Sequence, residues 1–345
     1  MLLSMIIEET AYARAGLVGN PSDIFHGKTL SLLFDSFHAT VKLYETPKIS
    51  IVPTKRDLLS FENIEELVGY RRKYGYYGGI RLIEAVITQL KEYCDQNNIS
   101  LDNRNFTIEY QSNIPFGVGL GGSSAIIKAA LSALMRFYGI TDTDIPKAIQ
   151  PNIVLAAETE ELNISAGPQD RVVVVFGGLV YMDFTEQAYE KNDNIHGDYE
   201  KLNPNLLPPL FIAYNEKLSK SSGAVHNIMR YRASVEHDQK VLKAMKQKAA
   251  LVDEAKECLL AGNKQSLGPI MSRDFDIRKS VYSITPANLR LMEIAREHGS
   301  HAKQTGSGGA AIGVYDDKKH FKILEEAYSS EGFAISNVNV VDYAK

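Results

Sequence analysis

The chain has 345 residues, 44% apolar and 23% charged, a balance that excludes intrinsic disorder and predicts about two domains. Thirty-eight basic against 42 acidic residues leave a net charge of −4 with no basic block, which excludes the electrostatic footprint of a nucleic-acid or anionic-membrane binder. Cys94 and Cys258 are too distant in sequence to form a disulfide framework or a zinc site by themselves, so a reducing, cytoplasmic-type compartment is expected.

The first residues, MLLSMIIEE, lack both a basic start and a long apolar core and read poorly as a signal peptide. No stretch reaches the roughly 18–20 apolar residues that cross a bilayer, and no fixed-period repeat is present. Residues 80–94 place Leu82, Ile83, Val86, Ile87 and Leu90 at helical spacing. Residues 106–111 (FTIEYQ) alternate like a half-buried strand. They lead through a glycine cluster into an apolar helix opened by Ser123-Ser124-Ala125. Residues 171–176 (RVVVVF) have strong strand propensity.

The polar, turn-rich segment 184–206 reads as a domain boundary, dividing the chain into 1–190 and 191–345. LFIAY (210–214) is a buried strand by length and composition. Amphipathic helices follow over about 224–260, 263–279 and 286–298, then a glycine-rich strand pair over 302–315, a helix over 317–330 and a strand over 333–341. Helices laid against an antiparallel sheet make the class α+β.

The run PFGVGLGGSSA (115–125) carries the most chemistry. Glycines at 117, 119, 121 and 122 would be entropically costly without a use. They permit sharp turns and close backbone approach to a ligand, and the helix start that follows offers free N–H groups and a positive dipole end. Ser123 and Ser124 add hydroxyls for phosphate oxygens or a metal. The spacing differs from G-x-x-x-x-G-K-[ST], since no lysine precedes the serines. A flexible loop with Ser123 as a plain helix cap is the alternative.

This run resembles the second motif of the GHMP small-molecule kinases, which include galactokinase, homoserine kinase and mevalonate kinase. ARAGLVGNPSDIFHGKTL (13–30) resembles their first motif and KQTGSGGAAIGV (303–314) their third. Within the family, GNPSD (19–23), AGPQDRVVVVFGGLVYMDF (166–184), SGAVH (222–226) and FDIRK (275–279) are most similar to the plant-type glucuronokinase branch, over about positions 11–340. The resemblance implies a two-domain fold, N-terminal ribosomal-S5-like and C-terminal ferredoxin-like, with the active site between. It also turns 171–176 into a short helix.

The resemblance further implies roles. Pro115, Gly117, Gly119, Leu120, Gly121, Gly122, Ser123 and Ser124 would bind ATP, with Ser124 and Glu158 on Mg²⁺. Asp170 would be the catalytic carboxylate and Arg14 the cation beside it. Asp23, Gly306, Ser307 and Gly308 would face the sugar. Each has a plainer reading: Asp170 as a helix cap, Arg14 as a surface charge, Asp23 as a turn residue, and Gly306–Gly308 as an ordinary hairpin. A uronic acid needs a partner for its carboxylate, preferably a bidentate arginine. Arg278 and Arg171 are the candidates, either of which could equally make a structural ion pair. Tyr76 and Tyr77 would stack on a ring or pack in the core, and His26 and His226 read as polar packing groups.

The function implied is an ATP- and Mg²⁺-dependent kinase for the anomeric hydroxyl of D-glucuronate. A kinase for another sugar, such as a heptose phosphate or galacturonate, and a non-catalytic sugar and nucleotide sensor are the rivals. The partners expected are a small sugar and ATP, with no nucleic acid and no membrane.

Overall fold

The computed structural model describes residues 6–55, 57, 78–218 and 222–343. β1 (Ile7–Val18) and β2 (Lys28–Thr46) open the chain as a long antiparallel hairpin, followed by β3 (Ser50–Val52). Then come α1 (Gly79–Gln96), β4 (Asn105–Ser112), α2 (Gly122–Tyr138), α3 (Gln150–Ala156), α4 (Gln169–Phe176), β5 (Leu179–Asp183), α5 (Glu186–Lys191) and β6 (Asp198–Leu202). These strands form one sheet in the order β3-β4-β2-β5-β6, with β1 also on β2. β5 pairs with residues 28–32 of β2 and β4 with residues 39–46, while β1 runs along both stretches.

β7 (Leu210–Tyr214) begins a second sheet. It is followed by α6 (Ser222–Ser234), α7 (Gln239–Leu260), α8 (Leu267–Val281), α9 (Pro286–Glu297), β8 (His301–Gln304), β9 (Ala310–Val314), α10 (Lys318–Ser330) and β10 (Ala334–Asn337). Its order is β10-β7-β9-β8, antiparallel throughout, the split β-α-β-β-α-β arrangement. Among the described residues no helix is long and apolar enough to cross a membrane.

The apolar stripe of α1 is buried against α2 at Leu82, Ile83, Val86 and Leu90, as its spacing predicts. The valines 172–175 lie in helix α4 instead of a strand, as the family resemblance implies. Val172, Val173 and Val174 are buried among Leu33, Val180 and Met182, and Val175 in the main core, and this packing outweighs their strand propensity.

Segment 184–206 is less of a linker than its composition predicts. It holds α5 and β6, and β6 pairs with β5, so the first sheet extends to Leu202, beyond the division at 190/191. The final strand is shorter than 333–341 because the chain leaves β10 to rejoin the first sheet. Val341 N donates to Leu33 O at 3.0 Å, and the Tyr343 hydroxyl donates to Val174 O at 3.0 Å. Tyr76 and Tyr77 lie outside the described residues, as does the side chain of His226. Phe106 is buried on β4 and meets the rings of Phe137 and Tyr138 edge-on at 5.5 and 6.3 Å. Phe106→Ala should cost about 3–5 kcal/mol of unfolding free energy, read as a lower urea midpoint with an unchanged slope.

Candidate active site

The second half of β1 is buried on both faces, so the guanidinium of Arg14, 5% exposed, must find its partners inside the protein. It does so on three sides. Nε and Nη2 donate to the two carboxylate oxygens of Asp170 at 2.5 and 2.7 Å. Nη1 donates to the carbonyls of Gly119 at 2.6 Å and Thr305 at 3.2 Å. The main chain follows the same plan, with Arg14 N donating to Leu120 O and Gly16 N to Thr305 O. The first motif, the glycine loop, the Asp170 turn and the third motif therefore converge on one side chain.

Two loop glycines are dictated by this crowding. Gly121 has φ +73°, and a Cβ there would lie 2.7 Å from Arg14 Cγ. Gly119 has φ +77°, and its Cβ would lie 2.8 Å from Ser307 N. Gly117 also has a positive φ, while Pro115 and Leu120 are buried beneath the loop. α2 begins at Gly122 with no side-chain cap, which leaves its first N–H groups for an anion. Ser123 is half-buried at this end. Ser124 is buried, and among the described residues its hydroxyl has no hydrogen-bond partner, which leaves it able to take a ligand.

The third motif closes on the loop. The Thr305 hydroxyl donates to Gly119 O at 2.9 Å, and a Cβ on Gly306 would lie 2.6 Å from that same oxygen. Ser307 and Gly308 follow on the side of Asn288 and Gln304.

Asp23 lies in the short turn Ser22–Phe25. Gln169 donates to it from both its main-chain N and its Nε2, at 3.3 Å each. Burial, and then the neighbouring charge of Asp170, push its pKa up to about 7. Gln169 thus separates two carboxyl groups of different character.

Glu158 is buried against the Arg171 guanidinium, which also donates to Gly167 O at 2.8 Å and lies 3.3 Å from Asp170. Ser124 suits a hard cation that takes one or two protein oxygens alongside water and phosphate. At Glu158 a cation would compete with Arg171. Arg278 is buried on α8 with its guanidinium 4.6 Å above the Tyr282 ring. His26 terminates the Asp23 turn in a left-handed conformation.

A cluster beneath the first motif escapes sequence reasoning. Asp274, fully buried, lies 2.7 Å from Lys248 Nζ and 3.4 Å from Lys303 Nζ, and it accepts from Gly19 N at 2.8 Å. Lys303 also donates to Gly16 O and to the Asn20 side chain. Charged residues on amphipathic helices read as solvated in a sequence. The one available signal is the adjacency of Asp274 and Lys303 to the FDIRK and third-motif segments.

The raised pKa of Asp23 has a stability consequence. Between the ordinary carboxylate value of 3.8 and about 7, the unfolded chain has released this proton while the folded chain keeps it. Folding therefore loses stability as pH rises through that window. Asp23→Asn should remove this component, so wild-type Tm minus variant Tm should fall from about pH 4 to about pH 7 in calorimetric scans.

The family model "GHMP kinases N terminal domain" matches residues 81–178 and "GHMP kinases C terminal" matches 255–334. The chain is 39% identical over 340 residues to glucuronokinase 1 of Arabidopsis thaliana, covering 97% of this chain and 92% of that one. It is 21% identical over 337 residues to D-glycero-alpha-D-manno-heptose 7-phosphate kinase of Campylobacter jejuni, covering 93% and 92%. Among solved structures, Lactococcus lactis galactokinase complexed with galactose superposes with a TM-score of 0.76 at 14% identity, covering 98% of this chain and 94% of that one. Methanococcus jannaschii mevalonate kinase gives 0.72 at 21%, covering 98% and 99%. With matching family models in both halves and a full-length relative at this identity, the chain belongs to the GHMP kinase family.

Proposed function

We propose that this kinase transfers the γ-phosphoryl group of ATP to the anomeric hydroxyl of D-glucuronate, giving D-glucuronate 1-phosphate and ADP. The observation that carries the reading is the bidentate Arg14–Asp170 pair set against the glycine loop at the start of α2. Its substrate follows from the relatives named glucuronokinase, similar over nearly the whole chain.

Phosphoryl transfer asks a protein for position and charge more than for covalent chemistry. Loop residues 115–122 and the first N–H groups of α2 hold the nucleotide phosphates, with the hydroxyls of Ser123 and Ser124. Mg²⁺, when bound at Ser124, neutralises charge on the phosphate oxygens. Asp170 orients the sugar O1 hydroxyl and accepts its proton as the O1–P bond forms and the bond to ADP breaks. Arg14 fixes both oxygens of that carboxylate and sets a permanent cation beside the transferred group. Asp23 and the turn Gly306, Ser307 and Gly308 flank the sugar. Cys94 and Cys258, both free thiols, accord with a cytoplasmic-type compartment.

A coupled ADP-release assay over a panel of free sugars should show D-glucuronate as the preferred acceptor. Better use of a neutral hexose would overturn the substrate, and ATP binding without transfer to any sugar would overturn the enzyme. Asp170→Asn should lower kcat about 10²- to 10⁴-fold with ATP affinity little changed; near-normal turnover would remove Asp170 from its role. Gly121→Ala combines a strained φ with a clash on Arg14. It should cost on the order of 10² in kcat/KM, with far-UV circular dichroism unaltered.

A further inference from the structure

We propose that Arg278, with Tyr282, forms the subsite that binds the substrate carboxylate and so selects a uronic acid over a neutral sugar. The inference rests on the glucuronate reading above.

Arg278 is 4% exposed, and an arginine cannot shed its charge when buried. Among the described residues its side chain has no carboxylate within ion-pair distance and no hydrogen-bond partner; its contact is the face of Tyr282. Leaving such a charge unpaired is costly unless an anion arrives. The other candidate is already engaged, since Arg171 meets Glu158, Asp170 and Gly167 O.

The surroundings carry an excess of buried positive charge. The charge of Asp274 acts on Arg278, but that carboxylate is shared between Lys248 and Lys303. Three buried basic groups therefore surround one buried carboxylate; burial lowers the pKa of both lysines, that of Lys303 to about 7, whereas Arg278 keeps its charge. Arg278, Tyr282, Asn288, Gln304 and Ser307 line a cavity of about 30 Å³. Among the described residues the buried Tyr282 hydroxyl there also lacks a partner. A carboxylate accepts from both the guanidinium and the phenol, and so satisfies Arg278 and Tyr282 together.

The cavity also lies beside the reaction centre. Ser307, on its wall, is the residue against which Gly119 of the phosphate loop packs. Gly306, next in the chain, abuts the Arg14 guanidinium. The Tyr282 hydroxyl lies within the field of Asp23, the proposed sugar contact. In a hexuronopyranose the carbons that bear the carboxyl and the anomeric oxygen both flank the ring oxygen, so a sugar with its anomeric oxygen at Asp170 carries its carboxyl nearby, as a subsite beside the reaction centre requires.

The test compares D-glucuronate with D-glucuronamide, which has the same ring and an uncharged amide. Wild type should prefer the acid. Arg278→Gln should lower the acid-to-amide ratio of kcat/KM about 10- to 100-fold, the range for lost hydrogen bonds to a charged group. Most of the loss should fall on the KM for glucuronate, with the KM for ATP little altered. Arg278→Lys should recover part of the ratio. Tyr282→Phe, which deletes one hydroxyl and keeps the packing, should lower it several-fold and guards against misfolding of the arginine variants, checked by thermal melts. An equal loss on acid and amide in every folded variant would overturn the subsite. A wild type indifferent to the acid would instead overturn the glucuronate reading, and the two failures are distinguishable.

Discussion

One buried guanidinium organises this molecule. Arg14 satisfies its donors with the two oxygens of Asp170 and the carbonyls of Gly119 and Thr305. Each of these partners lies more than a hundred residues from Arg14 along the chain. A charge buried this deeply must be paired to be tolerated. The loop, the Asp170 turn and the third motif are therefore held in one relative arrangement. In the proposed reaction, catalytic positioning and structural necessity coincide, because the pairing that permits burial also fixes the Asp170 carboxylate.

The same economy explains the glycines. At 119, 121 and 306, the space that a Cβ would fill is occupied by the neighbouring segment or by Arg14 itself. Close approach lets main-chain groups act as ligands and lets three loops meet without intervening side chains. The positive φ values at 119 and 121 add a second reason that other residues are disfavoured.

Electrostatics divides the site into regions. Around Asp170 the charges are paired, with Arg14 and Arg171 close by and Glu158 answering Arg171. Around Arg278 they are not, since Lys248 and Lys303 have already claimed Asp274. Asp23 lies between, its pKa raised mainly by burial. An acidic substrate would complete the pairing in the second region. The Asp274 cluster also serves the fold by anchoring Gly19 and Asn20 of the first motif to α8 and β8.

Much of this was legible in the residues themselves. Helical spacing in α1, the alternation of β4 and the length of β7 determined local structure, because each element buries an apolar face of fixed period. The glycine run pointed to close main-chain approach, and at Gly119 and Gly121 a Cβ would indeed meet the third motif and Arg14. Tertiary structure alone decided which charges are interior. No local pattern in Arg14, Asp274 or Arg278 separates a buried, paired guanidinium from a solvated or an unpaired one. It also decided that four valines become helix α4, that β6 extends the first sheet, and that the C-terminus returns to Leu33. Such outcomes depend on what packs across the chain, and that energy belongs to contacts between segments that are distant in sequence.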